Sequence, residues 1–248
     1  MLSTAQIPGR AHRLMQHNSH DFTICGHAAD GRSQFGLVLD GCGSKYRTPG
    51  RVIPSHNEVG AKLLGQFAAG WLARCLPPAG AIPTPPPWPD QLYAACLAFL
   101  DQLLAGLGLV GGPGRAEFIA SHLLCTLLGF VISADEATFF WAGDGYLVHN
   151  GQVTRLESDN RPDYLAYHLL PGGPGRAIPA HFHTRRLAPA GVQQLAVASD
   201  GWSAPLLADL LTTPRPSLAL QRQLNIRARQ PGHFEDDGAV ACWFEREA

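Results

Sequence analysis

The sequence predicts an α+β protein, and three observations carry that expectation. Helical periodicity is confined to a block between residues 55 and 107 and to a segment from 205 to 230. Short apolar runs of strand type fill most of the remainder. An Asn150-Gly151 dipeptide joins two of those runs in the manner of a β-hairpin.

The elements follow in chain order. His20–Gly26 and Phe35–Leu39 read as two strands around a polar turn, the second stopping at Asp40-Gly41-Cys42-Gly43. From Ser55 to Leu76, Val59, Leu63, Leu64, Phe67, Trp71 and Leu72 recur at helical spacing. Ser55 and Glu58 are expected to form a capping box. Pro77–Pro89 must leave the helix as an extended loop. A second helix is expected over Asp90–Leu107, followed by a flexible connection over Gly106–Gly114. Strands are then expected at Leu123–Ser133, Ala137–Ala142, Tyr146–His149, Gln152–Leu156, Gln194–Ala198 and Ala239–Phe244. The 205–230 helix is expected to break near Pro214 and Pro216. GGPGRA occurs twice, at Gly111–Ala116 and Gly172–Ala177, and lacks the Lys-Ser/Thr of a phosphate loop. Both copies read as loops. With no clear linker, residues 1–248 are expected to form one domain.

Composition narrows the classes of function. The formal net charge is −1 and no basic run stands out, so no nucleic-acid footprint is present. The six cysteines form no CxxC pair, and four sit among apolar neighbours as small hydrophobes. Neither a signal peptide nor an apolar run of spanning length is seen, so a cytoplasmic protein away from membranes is expected.

Four places share one design, in which an apolar stretch ends at an aspartate beside glycine. They are LVLDGCG at Asp40, FFWAGDG at Asp144, LAVASDG at Asp200 and EDDGAVACWF at Asp236 and Asp237. Singly, each is an ordinary turn. Together they supply carboxylates from separate segments, the hard oxygen donors that Mg²⁺ and Mn²⁺ require.

The ordered set LDGCGS, SHNEVGAKL, CTLLGFVI, FWAGDGYLVHNG, LAVASDGW and DDGAVACWF resembles the metal-dependent protein phosphatases of the 2C (PPM) type, nearest their bacterial branch. The resemblance spans about residues 16 to 244. It implies a four-layer αββα sandwich of two antiparallel sheets flanked by helices. It also implies hydrolysis of phosphoserine or phosphothreonine by a water bridging two Mn²⁺ or Mg²⁺ ions. Asp40 matches the bridging carboxylate and Gly41 the backbone-carbonyl ligand. Asp200 and Asp236 match further ligands, Asp21 is a looser match to another, and Asp144 matches a ligand of a third, weaker ion. Asp237 falls where the family has Asn or Asp. A phosphorylated protein substrate, a cognate serine/threonine kinase and a monomeric state complete the implied picture.

This chain departs from the pattern at three positions. His20 stands where a Glu usually precedes Asp21, Gln16 stands where many members carry a phosphate-binding Arg, and Cys42 occupies the variable DGxG slot. Arg13 or Arg10 would have to replace the missing arginine. These departures keep a second reading open, that of a 2C-like regulatory module that binds a partner with little turnover. Hydrolysis of a non-protein phosphate is a third. His181 and His183 read either as a zinc pair or as an exposed polar face. Ser199 and Ser203 lack a nucleophile elbow. The 161–167 segment reads equally as a substrate-contacting flap or a packed loop.

Overall fold

In the computed structural model, residues 1–43, 47–48, 51–78, 80, 85–158, 162–170, 175 and 177–245 are described. Arg161 and most of the second GGPGRA block lie outside them, as does part of the Pro77–Pro89 loop. Two five-stranded antiparallel sheets form the centre. One has the order β1 (Leu2–Ile7), β12 (Gly238–Phe244), β11 (Gln194–Ala198), β8 (Gly145–His149), β9 (Gln152–Leu156). The other runs β10 (His183–Leu187), β7 (Ala137–Ala142), β6 (Leu127–Ile132), β3 (Gln34–Asp40), β2 (Asp21–His27). A two-stranded ladder, β4 (Arg47–Thr48) with β5 (Arg51–Val52), stands apart.

Helices cover the outer faces. α2 (Asn57–Cys75) and α3 (Trp88–Gly106) pack on the second sheet through Leu64, Leu72, Leu92 and Leu100 against Leu37, Leu39 and Phe140, and α4 (Gly112–His122) packs against α2. α5 (Ala204–Leu210) and α6 (Ser217–Arg227) pack on the first through Leu207, Leu210 and Leu224 against Val240 and Phe244. Between the sheets lie Val38, Phe130, Phe139, Val197 and Ala241. Leu37 and Leu39 therefore point to helices while Val38 points to the other sheet, as the two-residue period of a strand dictates. With both faces buried, these strands read as continuous apolar runs. This is the expected four-layer sandwich. No described helix is long and apolar enough to cross a membrane.

Several local expectations need correction. β1 and α1 (Arg10–Met15) were not anticipated. The first GGPGRA block is not a loop: Gly112 opens α4, with Pro113 in its first turn, where a missing N–H costs nothing. α3 begins at Trp88 rather than Asp90 for the same reason, with Pro89 in its first turn. Ser55 does not cap α2. The cap position is His56, which makes no side-chain cap bond, and Ser55 Oγ instead donates to the Cys42 carbonyl at 2.6 Å. The hairpin holds, with Asn150 at φ 48°.

Candidate metal centre

The carboxylates gather where the two sheets part. Asp21 opens β2 and Asp40 closes β3, directly opposite each other in the ladder. Asp144 lies on the connection by which the chain leaves β7 in one sheet for β8 in the other. Asp200 follows β11, and Asp236 precedes β12. Asp40, Asp144, Asp200 and Asp236 line one cavity of about 220 Å³, together with Gly41, Cys42, His20 and Asp237. Asp21 is buried behind it, at 4% exposure.

The Asp40 turn is held by several bonds. Asp40 N–H donates to Thr126 Oγ1 at 3.1 Å, and the Asp40 carbonyl accepts from Thr126 N–H at 2.9 Å. Asn57, fully buried at the start of α2, donates from Nδ2 to the Cys42 carbonyl at 2.7 Å and accepts from Leu124 N–H at 2.9 Å. A Cβ at position 41 would lie 2.8 Å from the Asn57 carbonyl carbon and 2.9 Å from the His20 oxygen. Only glycine admits that approach. Ser199 is no nucleophile: its buried hydroxyl donates to Asp21 Oδ2 at 2.6 Å and accepts from Ala239 N–H at 2.9 Å.

Charge in this pocket is unbalanced. Burial pushes the carboxyls of Asp21 and Asp40 well above the usual carboxylate range. Asp21, Asp200 and Asp236 press Asp40 further up, and the Ser199 bond only partly offsets the effect on Asp21. Asp200 keeps contact with solvent, yet partial withdrawal from water, then Asp144 and Asp236, raises it too. No Lys or Arg lines the cavity among the described residues. Asp21 Oδ1 is buried without a hydrogen-bond partner. A pocket dominated by carboxylate oxygens, with an orphaned carboxylate oxygen buried behind it, fits hard divalent cations. Asp40, Asp144, Asp200, Asp236 and the Gly41 backbone line the cavity and could supply such ligands, with Asp21 behind.

The surroundings differ from expectation in part. Arg13 does not line the cavity: its guanidinium donates to the carbonyls of Pro8 and, at 3.1 Å, Ala228. Arg10 lies 3.8 Å from Glu235 at the exposed surface. Gln16 is the left-handed C-cap of α1. The segment after the hairpin does contribute, since Pro162 and the buried Tyr164 line the cavity. Burial, with Cys42, Asp40 and Asp144 nearby, raises the Tyr164 phenol and keeps it protonated. His183 pairs with Asp163 at 3.1 Å, and His181 precedes β10 rather than sharing its face.

Asp237, unassigned beforehand, ties the N-terminal segment to the site. Its carboxylate accepts from Gly9 N–H, from His20 N–H at 2.6 Å and pairs with His12 Nδ1 at 2.8 Å. Its own N–H donates to Asp236 Oδ1 at 2.8 Å. Only the Asp-Asp doublet signalled it in sequence. The partners of its carboxylate lie more than 200 residues away.

Known structures share this arrangement of layers. A serine/threonine phosphatase from S. agalactiae superposes with a TM-score of 0.62 at 16% identity, over 99% of each chain. Stp1 from Staphylococcus aureus gives 0.62 at 14%, over 99% of this chain and 95% of that one. The catalytic domain of the phosphatase PstP, solved in complex with two manganese ions, gives 0.59 at 18%, over 98% and 96%. No curated protein sequence matches the chain. The sequence profile of protein phosphatase 2C, however, covers residues 8–233, from just before α1 almost to the Asp236 doublet. On that match, the chain belongs to the protein phosphatase 2C family.

Proposed function

We propose that the protein is a metal-dependent phosphatase that removes phosphate from phosphoserine and phosphothreonine in proteins. The observation that supports it most is the convergence of Asp40, Asp144, Asp200 and Asp236 on one small cavity without a balancing cation from the protein. The two manganese ions named for PstP favour Mn²⁺ or Mg²⁺ here, with a third ion near Asp144. Bound there, such ions neutralise phosphoryl oxygens and acidify a water for attack on phosphorus. The chain's own residues do the rest. Asn57 and Thr126 hold the Asp40 turn, Ser199 orients Asp21, and Tyr164 keeps a hydroxyl donor at the cavity wall. The substrate is then a phosphorylated protein, the antagonist a serine/threonine kinase, and the working form a cytoplasmic monomer.

One observation favours a second reading, a regulatory module with little turnover: Arg13 spends its guanidinium on backbone carbonyls, and no arginine faces the cavity among the described residues. Cleavage of a small aryl phosphate with and without Mn²⁺ separates the two. The enzyme reading expects metal-dependent turnover that Asp40→Asn abolishes, followed by release of phosphate from phosphoserine and phosphothreonine peptides. Absence of metal-dependent turnover in the wild type sinks it in favour of the module.

A further inference from the structure

At the wall of the aspartate-rich pocket, which His20 and Asp237 also line, stands a second donor cluster of different chemistry. His12, on α1, and His20, just before β2, bring their imidazole rings to a centroid separation of 4.7 Å. Asp237 lies against them, with His12 Nδ1 at 2.8 and 2.9 Å from its two oxygens. One ligand atom from each of the three falls within 4.8 Å of the other two, the one such group of three among the described residues. Side-chain exposures of 20% for His12, 18% for His20 and 3% for Asp237 describe a shielded cluster that solvent still reaches.

Two features argue for more than a set of hydrogen bonds. Asp237 is fixed by the Gly9 and His20 amides, so its carboxylate is already oriented before any ion arrives. A carboxylate has about four acceptor positions, and these amides with His12 use three. In addition, Glu58 Oε2 is buried without a hydrogen-bond partner, 3.7 Å from His20 Nε2. That distance is too long for a hydrogen bond, and it sets a fourth donor, a carboxylate oxygen, behind the second imidazole.

Two imidazoles and a carboxylate are a borderline-soft donor set. Zn²⁺ takes such ligands readily, whereas Mg²⁺ and Mn²⁺ prefer the adjoining carboxylates of Asp40, Asp144, Asp200 and Asp236. We propose that His12, His20 and Asp237 form a separate transition-metal site that binds Zn²⁺, with Glu58 as its outer carboxylate. The two sites are chemically sorted, so an excess of Mg²⁺ fills one without competing at the other. The assignment stands or falls independently of phosphatase activity.

The test is a calorimetric titration of the full chain with ZnCl₂ in excess Mg²⁺, with zinc counted after gel filtration and X-ray absorption read at the zinc edge. The wild type retains a single Zn²⁺ with imidazole scattering in its spectrum. His12→Ala and His12→Gln each weaken binding by about a hundredfold or more, given that even outer partners of metal ligands are worth 10–100-fold. α1 has no buried residue, so the fold tolerates the change, and Gln keeps a donor for Asp237; the unfolding midpoint checks both. His17→Ala, whose ring sits 6.0 Å from that of His12, binds as the wild type does. Absence of Mg²⁺-resistant zinc, oxygen-only ligation at the edge, or unchanged binding by a folded His12 variant overturns the site.

Discussion

Ser199 donates a 2.6 Å hydrogen bond to Asp21 across the interface between the two sheets, joining residues 178 positions apart. The same hydroxyl accepts from Ala239 N–H, so one side chain orients a buried carboxylate and satisfies a buried amide. Ser199→Ala leaves both unpaired. Each unmet buried group costs about 1–3 kcal/mol. Urea unfolding of the metal-free variant is expected to show a loss of about 2–6 kcal/mol for the two groups together, with weaker Mg²⁺ binding.

The raised carboxyls fix how metal-free stability responds to pH. Asp21, Asp40 and Asp200 hold their protons in the folded chain where the unfolded chain has released them. Stability therefore falls as pH rises, starting near the unfolded carboxylate value of about 4 and continuing through the raised folded values. Urea midpoints at about pH 5 and about pH 8 in chelator give the slope. Excess Mg²⁺ is expected to flatten it, and an unchanged slope would show that cations do not meet these groups.

Asp40→Asn separates repulsion from binding. Without metal, replacing a carboxyl that is costly to ionise beside Asp21, Asp200 and Asp236 by a neutral amide is expected to raise the unfolding temperature at neutral pH. With metal the order reverses. A cation at a hundred times its dissociation constant stabilises the wild type by about 2.7 kcal/mol, and the variant gains much less. Thermal scans with and without Mn²⁺ read both halves.

Arg13 acts as a tether between α1 and the residues after α6, through its bonds to Pro8 and Ala228. Arg13→Ala is expected to cost about 1–3 kcal/mol in unfolding free energy. KM for a small aryl phosphate should stay at its wild-type value. A large rise in KM would restore the phosphate-binding role that the sequence suggested.

Gly201 sits where the chain after β11 passes β12. A Cβ there would lie 1.8 Å from the Asp237 carbonyl oxygen, which is backbone and cannot swing aside. Gly201→Ala is expected to destabilise by on the order of 3 kcal/mol and to disturb Asp236, one residue away from the clash. Chemical denaturation and Mn²⁺ titration of one preparation measure the two effects together.

What was legible in the sequence was local. An apolar run ending in Asp-Gly betrays a strand end and a turn within seven residues, so Asp40, Asp144, Asp200 and Asp236 could be read directly. Helix α4 was hidden because Gly112, Pro113 and Gly114 suppress helical propensity, although a first turn tolerates them. β1 was hidden because two of its three buried positions are Ser3 and Ala5, too small and polar to show an apolar period. Its partner is β12, at the far end of the chain. Asn57, Ser199 and Asp237 escaped for a related reason. Each makes a bond to a residue 67 or more positions away, and no short window along the sequence contains both ends.

The parting of the sheets gives the cavity a mechanical meaning. Asp21 and Asp40 belong to one sheet, Asp200 and Asp236 to the other, and Asp144 to the strap that crosses between them. Any ion held by both sets works as a rivet through the open end of the sandwich. Chelation then amounts to unfastening a joint, with the rest of the seam held by the apolar layer around Phe130 and Phe139. Amide exchange at the β2, β3, β11 and β12 ends nearest the aspartates would quicken on metal removal while the far ends stayed protected. On that view, the cations' grip governs how firmly the two halves of the molecule are registered against each other.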